Sequence, residues 1–334
     1  MGVLEGPVTQ PPEGIDLPSW QVLQELLAVV PGGFHSISDI VRRREVFAHW
    51  VAQGAKNPMP GGADIQVSSF SLPRADSKEA IEVRRYDCTR EMGDRSNALH
   101  KPALIFIHGG GMVLGDLESS DALCRKLANE LPVALFSIAY RKAPEDPYPA
   151  AVNDCLTAVR WIHAHSDELG INSQNIGIYG PSAGGGLVLA VALKLRDAGE
   201  KILKYMAPIY PMIDDRSDTP AHLKIPSIGV WDKNANRQAW QWYLSGAVAD
   251  SYAAPARAAD LSGLPPCYSD VGTFDIFADD DLIFFRRLAQ AGVPTEFHLF
   301  PGAFHGSENI APNAQLSQEI WRHRFAALHR FIHA

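Results

Sequence analysis

The sequence predicts an α/β fold built on a mainly parallel, eight-stranded sheet with helices on its faces. Short apolar runs alternate with segments of helical length through most of the 334 residues, the pattern left by successive βαβ units. Several runs, such as Leu104-Ile105-Phe106-Ile107, are apolar at every position, which suits strands covered on both faces. Two glycine motifs, His108-Gly109-Gly110-Gly111 and Gly180-Pro181-Ser182-Ala183-Gly184, each follow directly on such a run, where a strand of this class turns into a loop or a helix.

Residues 1–16, rich in proline, glycine and polar groups, read as a loosely held arm. From Ser19 to Val30, Trp20, Leu23, Leu27 and Val30 recur at helical spacing. Ser36 then stands before a second helical pattern, with Ile37, Ile40, Val41, Phe47, Ala48 and Val51 on one side and Gly54 at its end. The break at Pro58-Met59-Pro60-Gly61-Gly62 closes this region. Residues 64–72 and 80–88 read as a strand pair, the second alternating through Ile81, Val83 and Arg85. Further strands are predicted at 103–107, 133–139, 175–179, 205–210, 267–272 and 295–300, and helices at 119–130, 149–165, 183–197, 279–291 and 315–332.

The alternation lapses once. More than fifty residues separate the strand ending near Tyr210 from the one beginning near Cys267, and they carry Trp231, Trp240, Trp242 and Tyr243 in a helical stretch. A long insertion at a strand's C-terminal end is where a lid sits. The expected organisation is therefore an N-terminal arm with cap helices (1–60), a first part of the core (61–210), a cap insertion (211–252) and a second part of the core (253–334).

Hydrophobic content of 46% with 20% charged residues is that of a globular domain. The net charge of −8 argues against a nucleic-acid surface, which needs a basic patch. Cys88, Cys124, Cys155 and Cys267 are widely spaced, with neither a C-x-x-C pair nor a Cys/His ligand spacing. They read as reduced, mostly buried thiols. The start of the chain has no apolar signal core, Glu5 and Glu13 stand where basic residues would, and no apolar run reaches membrane-spanning length. These features predict a cytoplasmic protein without a membrane span. No metal, nucleotide or flavin motif is present, so no cofactor is expected.

The second glycine motif has the form G-x-S-x-G, which places a serine on a tight strand-to-helix turn with its hydroxyl exposed. A serine hydroxyl is a weak nucleophile at neutral pH. It needs a base to take its proton, and the base needs a carboxylate to orient it and to stabilise its positive charge. In sheets of this kind the partners follow the serine in the order acid, then histidine. Asp275 lies just beyond the 267–272 strand and His305 just beyond the 295–300 strand. Both loops would open at the C-terminal edge of the sheet, where open α/β folds bind ligands. Each piece has a plainer reading: a tight turn at the glycines, a surface histidine, or acids at 279–281 that open a helix favourably for its dipole. Their joint occurrence in order, each after a strand, favours catalysis.

The same stretches resemble a known family. His108-Gly109-Gly110-Gly111 with Met112-Val113-Leu114-Gly115-Asp116, Tyr140-Arg141-Lys142-Ala143-Pro144-Glu145 with Pro147-Tyr148-Pro149-Ala150-Ala151, Gly180–Gly185, and Asp260-Leu261-Ser262-Gly263-Leu264-Pro265-Pro266 are similar to the signature segments of the hormone-sensitive-lipase-like α/β-hydrolase esterases. The resemblance runs from about residue 68 to residue 332. It implies the α/β-hydrolase fold with a helical cap made of N-terminal helices and an insertion after the sixth strand. It implies Ser182 as nucleophile, His305 as general base and acid, and Asp275 as the orienting carboxylate. Backbone N–H groups of Gly110, Gly111 and Ala183 would form an oxyanion hole, with His108, Gly109, Gly180 and Gly184 as supporting structure. This chain departs from the pattern at Pro181, where an acidic residue is usual, at Ile276-Phe277-Ala278 after the acid, and at Ser307 after His305-Gly306.

The expected reaction is two-step hydrolysis of a small-molecule carboxylic ester through an acyl-enzyme, faster as the base loses its proton over roughly pH 6 to 8. The resemblance implies short- to medium-chain esters, and an apolar pocket lined in part by Trp231, Trp240 and Trp242 would take an acyl or aromatic group. Lactone hydrolysis, acyl transfer and non-hydrolytic ligand binding are the alternatives on this fold. Pairing of 295–300 edge strands in a homodimer is implied by the resemblance.

Overall fold

The computed structural model describes residues 8–31, 33–54, 64–74, 76–90 and 100–334. Its sheet runs β1 (Ile65–Leu72), β2 (Ile81–Cys88), β3 (Lys101–Ile107), β4 (Ala134–Ile138), β5 (Ile171–Pro181), β6 (Tyr205–Ile209), β7 (Cys267–Phe274) and β8 (Thr295–Phe304) along the chain. In space the order is β1-β2-β4-β3-β5-β6-β7-β8. β2 is antiparallel to both β1 and β4, and every other pairing is parallel. All five residues of β4 and of β6 are buried, as strands covered by helices on both faces must be.

Helices α1 (Leu17–Leu27) and α2 (Ile40–Gly54) precede the sheet, and α3 (Asp121–Glu130), α4 (Ala150–Ala164), α5 (Ala183–Asp197), α8 (Ala278–Gln290) and α10 (Gln315–His333) flank it. Between β6 and β7 lie the short α6 (Pro220–Lys224) and α7 (Lys233–Leu244), and α9 (Ser307–Ile310) follows β8. The two largest apolar clusters among the described residues hold, in one, Ile105, Phe136, Val159 and Ile178, and in the other, Leu104, Phe106, Leu135 and Leu328. Neighbouring residues of β3 fall in different clusters because successive strand side chains point to opposite faces. Each fully buried Leu, Ile or Phe contributes about 1.5–3 kcal/mol to burial.

Every predicted strand and each predicted helix is present, with ends moved by a few residues. Three details differ. The described part of the N-terminal arm is fastened, not loose: Val8 N donates to Ser227 O at 2.9 Å, Asp16 N donates to Gly302 O at 3.0 Å, and Ile15 is buried. The start of the arm and the break at 58–62 lie outside the described residues. Ser36 does not begin α2. It ends a 3₁₀ turn, Phe34–Ser36, with its hydroxyl given to Gly33 O at 2.7 Å. Asp39, whose carboxylate accepts Arg42 N at 2.6 Å, stands at the start instead. Trp231 lies before α7 rather than in it, because Asp232 caps that helix by accepting the amides of Asn234 and Ala235 at 3.0 and 2.9 Å.

Two adjacent arginines of α2 reach in different directions. Arg43 is buried, bonds Gln238 Oε1 at 2.7 Å and lies 4.9 Å over the Trp242 ring of α7. Arg44 bonds Val113 O at 2.8 Å and Ala143 O at 2.9 Å, and pairs with Glu145 at 2.8 Å. The four cysteines are free, three of them buried and Cys88 half-buried.

Candidate active site

β5 passes into α5 through Ser182, and this residue carries the strain of the turn. Its φ is +57° and ψ −122°, a region that costs a non-glycine residue on the order of 1–3 kcal/mol. The elbow is held by backbone bonds on both sides. Ser182 N donates to Ile209 O at 2.8 Å, and Ser182 O accepts from Met212 N at 3.0 Å and Gly186 N at 3.1 Å. The helix that follows begins with glycines because it sits directly against β3. A Cβ on Gly184 would overlap Ile107 O and stand 2.7 Å from His108 O. The sequence placed the hydroxyl at an exposed turn, but Ser182 keeps only 6% of its surface.

The structure brings Ser182, Asp275 and His305 together. His305 Nε2 lies 3.0 Å from Ser182 Oγ, and His305 Nδ1 lies 2.7 Å from Asp275 Oδ2. A carboxylate only accepts, so Nδ1 carries the proton and Nε2 presents its lone pair to the serine hydroxyl. The other Asp275 oxygen accepts Phe277 N at 3.0 Å, which fixes the carboxylate plane. All three residues are buried. His305 is enclosed edge-on by two rings, Tyr210 with centroids 4.8 Å apart and Phe277 at 5.3 Å.

The first glycine motif lies beside the serine. A Cβ on Gly109 would stand 3.4 Å from Ser182 Cβ and 2.9 Å from Pro181 O. Gly110 and Gly111 have φ of +107° and +64°, and the Gly110 carbonyl accepts the amides of Val113 and Leu114 at 3.1 and 2.8 Å. His108 plays a supporting part. Burial pushes its imidazole down to about 4, its Nδ1 is 2.8 Å from Gly109 O, and its ring stacks on Tyr140 at 4.1 Å. Tyr140 in turn donates to His108 O at 2.9 Å.

Of the three tryptophans expected to line a pocket, Trp231 approaches this loop. Its six-membered ring occupies the space a Cβ on Gly111 would need. Trp240 is buried edge-on to Tyr243 at 5.9 Å, and Trp242 lies under the Arg43 guanidinium. Trp242 thus packs α7 onto α2, because a half-buried indole beside a buried guanidinium gains a cation–π contact there.

The sequence reading missed two groups of residues around the site. The acids of the first turn of α8 are more than dipole partners. Asp279 accepts Ala221 N at 2.7 Å, and Asp280 lies 3.5 Å from His222 Nδ1. Burial, with Asp214 and other acids nearby, raises the Asp280 carboxyl to about 7. Asp281 is fully buried, neither of its oxygens has a hydrogen-bond partner among the described residues, and burial beside Asp275 raises it well above the usual carboxylate range. The second group, Glu308 with Arg324 and Asp270, is spread over 55 residues of sequence, and no local pattern announces it.

A serine on a strained strand-to-helix elbow after β5, with an aspartate and a histidine at the ends of the parallel strands β7 and β8, is the arrangement of an α/β hydrolase. Comparison with known proteins agrees: residues 104–309 match the α/β-hydrolase-fold family. The chain belongs to that family, within its hormone-sensitive-lipase-like carboxylesterases, and is a carboxylic ester hydrolase. Esterase LipI of Mycobacterium tuberculosis is 32% identical over 236 residues, 70% of this chain and 73% of the relative. Ethyl acetate hydrolase of Pseudomonas putida is 30% identical over 244 residues, 72% and 74% of the two chains. The solved structure of a bacterial heroin esterase superposes with a TM-score of 0.84 at 32% identity, covering 96% of this chain and 98% of the other. Among the described residues no helix is long and apolar enough to cross a membrane.

Proposed function

We propose that this protein is a serine carboxylesterase that hydrolyses short- to medium-chain or aromatic carboxylic esters. The observation that carries the reading is the line of two hydrogen bonds from Asp275 through His305 to Ser182, 2.7 and 3.0 Å long. His305 takes the serine proton as Ser182 Oγ attacks the ester carbonyl. The backbone N–H groups of Gly110, Gly111 and Ala183 hold the oxyanion; each such donor is worth roughly 10²–10³ in rate. His305 then protonates the leaving alcohol, and a water activated by the same imidazole releases the acid. Asp275 keeps the imidazole in the Nδ1–H form throughout.

The segment 211–252 acts as a cap over the serine, and Trp231 bounds the space beside Gly111. The named substrates of the relatives, ethyl acetate and heroin, support a small ester. The test is p-nitrophenyl butyrate hydrolysis at pH 8 with wild type beside Ser182→Ala. Turnover in the wild type with a loss of at least about 10³-fold in the variant is expected. Equal rates for the two proteins would refute the assignment of Ser182. A rate that does not change between acetyl and decanoyl esters would refute the capped pocket.

A further inference from the structure

The turn after β6 touches two of the three residues at once. Ile209 and Met212 hold the backbone of Ser182 from either side. Between them Tyr210 sets its ring edge-on to His305, with centroids 4.8 Å apart. Tyr210 has φ of +33°, a conformation that an aromatic residue rarely adopts and that persists only where the surroundings impose it. The surroundings here grip it at both ends. Its amide donates to Asp270 O at 2.8 Å, and its hydroxyl donates to Glu308 Oε1 at 2.7 Å.

Glu308 belongs to a buried charge cluster. Arg324 of α10 bonds Asp270 through two nitrogens at 2.7 Å each and bonds Glu308 Oε1 at 2.8 Å. Arg324, Asp270 and Glu308 are each 1% exposed. Asn309 donates to Glu308 Oε1 at 2.8 Å, and Tyr268 donates to Asp270 Oδ2 at 3.0 Å. Buried ion clusters are weak sources of net stability, since desolvation offsets most of their attraction. They do fix geometry, because every donor has one place to point. This cluster joins β7, α9 and α10 to the ring that faces His305, and Glu308 itself is three residues beyond His305.

We infer that Tyr210 is a positioning residue for the general base, its ring held against His305 by the hydroxyl bond to Glu308 and through it by Arg324 and Asp270. The inference rests on the assignment of His305 as base. His305 otherwise has freedom to swing about its side-chain torsions away from Ser182. A ring fixed at one side and Phe277 at the other leave it the orientation that meets both Asp275 and Ser182. Misplacement of a reacting group by about 1 Å costs up to roughly 10²-fold in rate.

The test is Tyr210→Phe, which keeps the ring and removes the hydroxyl, with Glu308→Gln beside it. Steady-state rates on p-nitrophenyl butyrate are expressed per active site, titrated with a p-nitrophenyl phosphonate. Tyr210→Phe is expected to lower kcat about tenfold with KM within twofold of wild type, and Glu308→Gln to do the same. A purely structural role would reduce the titratable fraction and leave kcat per site unchanged; that result overturns the inference. The downfield proton resonance of His305 Nδ1–H gives a readout independent of turnover. It is expected to be sharp in wild type and broadened in Tyr210→Phe, and an identical resonance in both overturns the inference. Wild type that neither turns over the ester nor reacts with the phosphonate would instead remove the esterase reading, leaving the resonance to decide the role of Tyr210.

Discussion

Gly111→Ala tests how closely the segment between β6 and β7 presses on the loop beside Ser182. The new methyl would stand 2.5 Å from Trp231 Cζ2, closer still to Cη2, and 3.1 Å from Ala239 Cβ. Ordinary carbon contacts are about 3.5–4.0 Å, so the indole must withdraw by more than about 1 Å. Its room to do so is small. Trp231 Nε1 faces Asn236 Oδ1 at 3.4 Å, and Asn236, fully buried, also bonds Ser217. The backbone adds its own demand, since φ of +64° costs an alanine about 1 kcal/mol. With the ring held, the cheaper movement is a rotation of the 109–112 loop. That displaces the amides proposed to meet the oxyanion, and loss of one such donor costs about 2.7–4 kcal/mol. The expected result is a fall in kcat/KM of about 10²-fold on p-nitrophenyl acetate. Shortening the ring in Gly111→Ala/Trp231→Leu should recover at least about tenfold, since the two sites are in contact and therefore non-additive. A single variant within threefold of wild type, or a double variant no better than the single, would refute this account of the contact.

Two further outcomes follow from the same geometry. Asp275→Asn presents an amide to His305 Nδ1, favours the wrong tautomer, and should lower kcat about 10⁴-fold with the fold intact, checked by circular dichroism and steady-state kinetics. Asp280 is raised from an ordinary carboxylate value to about 7 in the native state. The folded protein therefore binds more protons than the unfolded chain between about pH 4 and 7, and stability falls as pH rises through that window. At about 1.4 kcal/mol per pH unit the upper limit is about 4 kcal/mol. Asp280→Asn should then raise Tm by several degrees at pH 8, with the gain shrinking toward pH 4, read by thermal unfolding across pH. A gain that is the same at both ends would place its origin outside ionisation.

Much of this architecture was legible in the chain because it depends on local patterns. Runs such as Leu104–Ile107 announce buried strands, and Ser182, Asp275 and His305 each follow directly on a strand, β5, β7 and β8. What escaped the sequence depends on chain segments meeting from afar. Arg324 reads as an ordinary polar position of a helix until α10 lies behind β7, where it becomes fully buried. Asp279–Asp281 read as helix-opening acids until α6 folds onto them. Ser36 misled because its neighbour Asp39 competes for the same helix start with a stronger acceptor. Trp242 misled because nothing in its spacing reveals that α2 will cover it with a guanidinium.

Arg43 and Arg44 bear on how such proteins can be recombined. Arg43 holds α7, while Arg44 holds the loop at Val113 and the turn at Ala143. A single turn of a helix that precedes the sheet in the chain thus sets the height of an insertion that comes after six of its strands. Grafting residues 211–252 from a relative brings over the side chains proposed to bound the ester but not Arg43, which bonds Gln238 and covers Trp242. A chimera of this protein is therefore complete only when the donor's second helix travels with the insertion, and the two stretches are best treated as one exchangeable part split across the sequence.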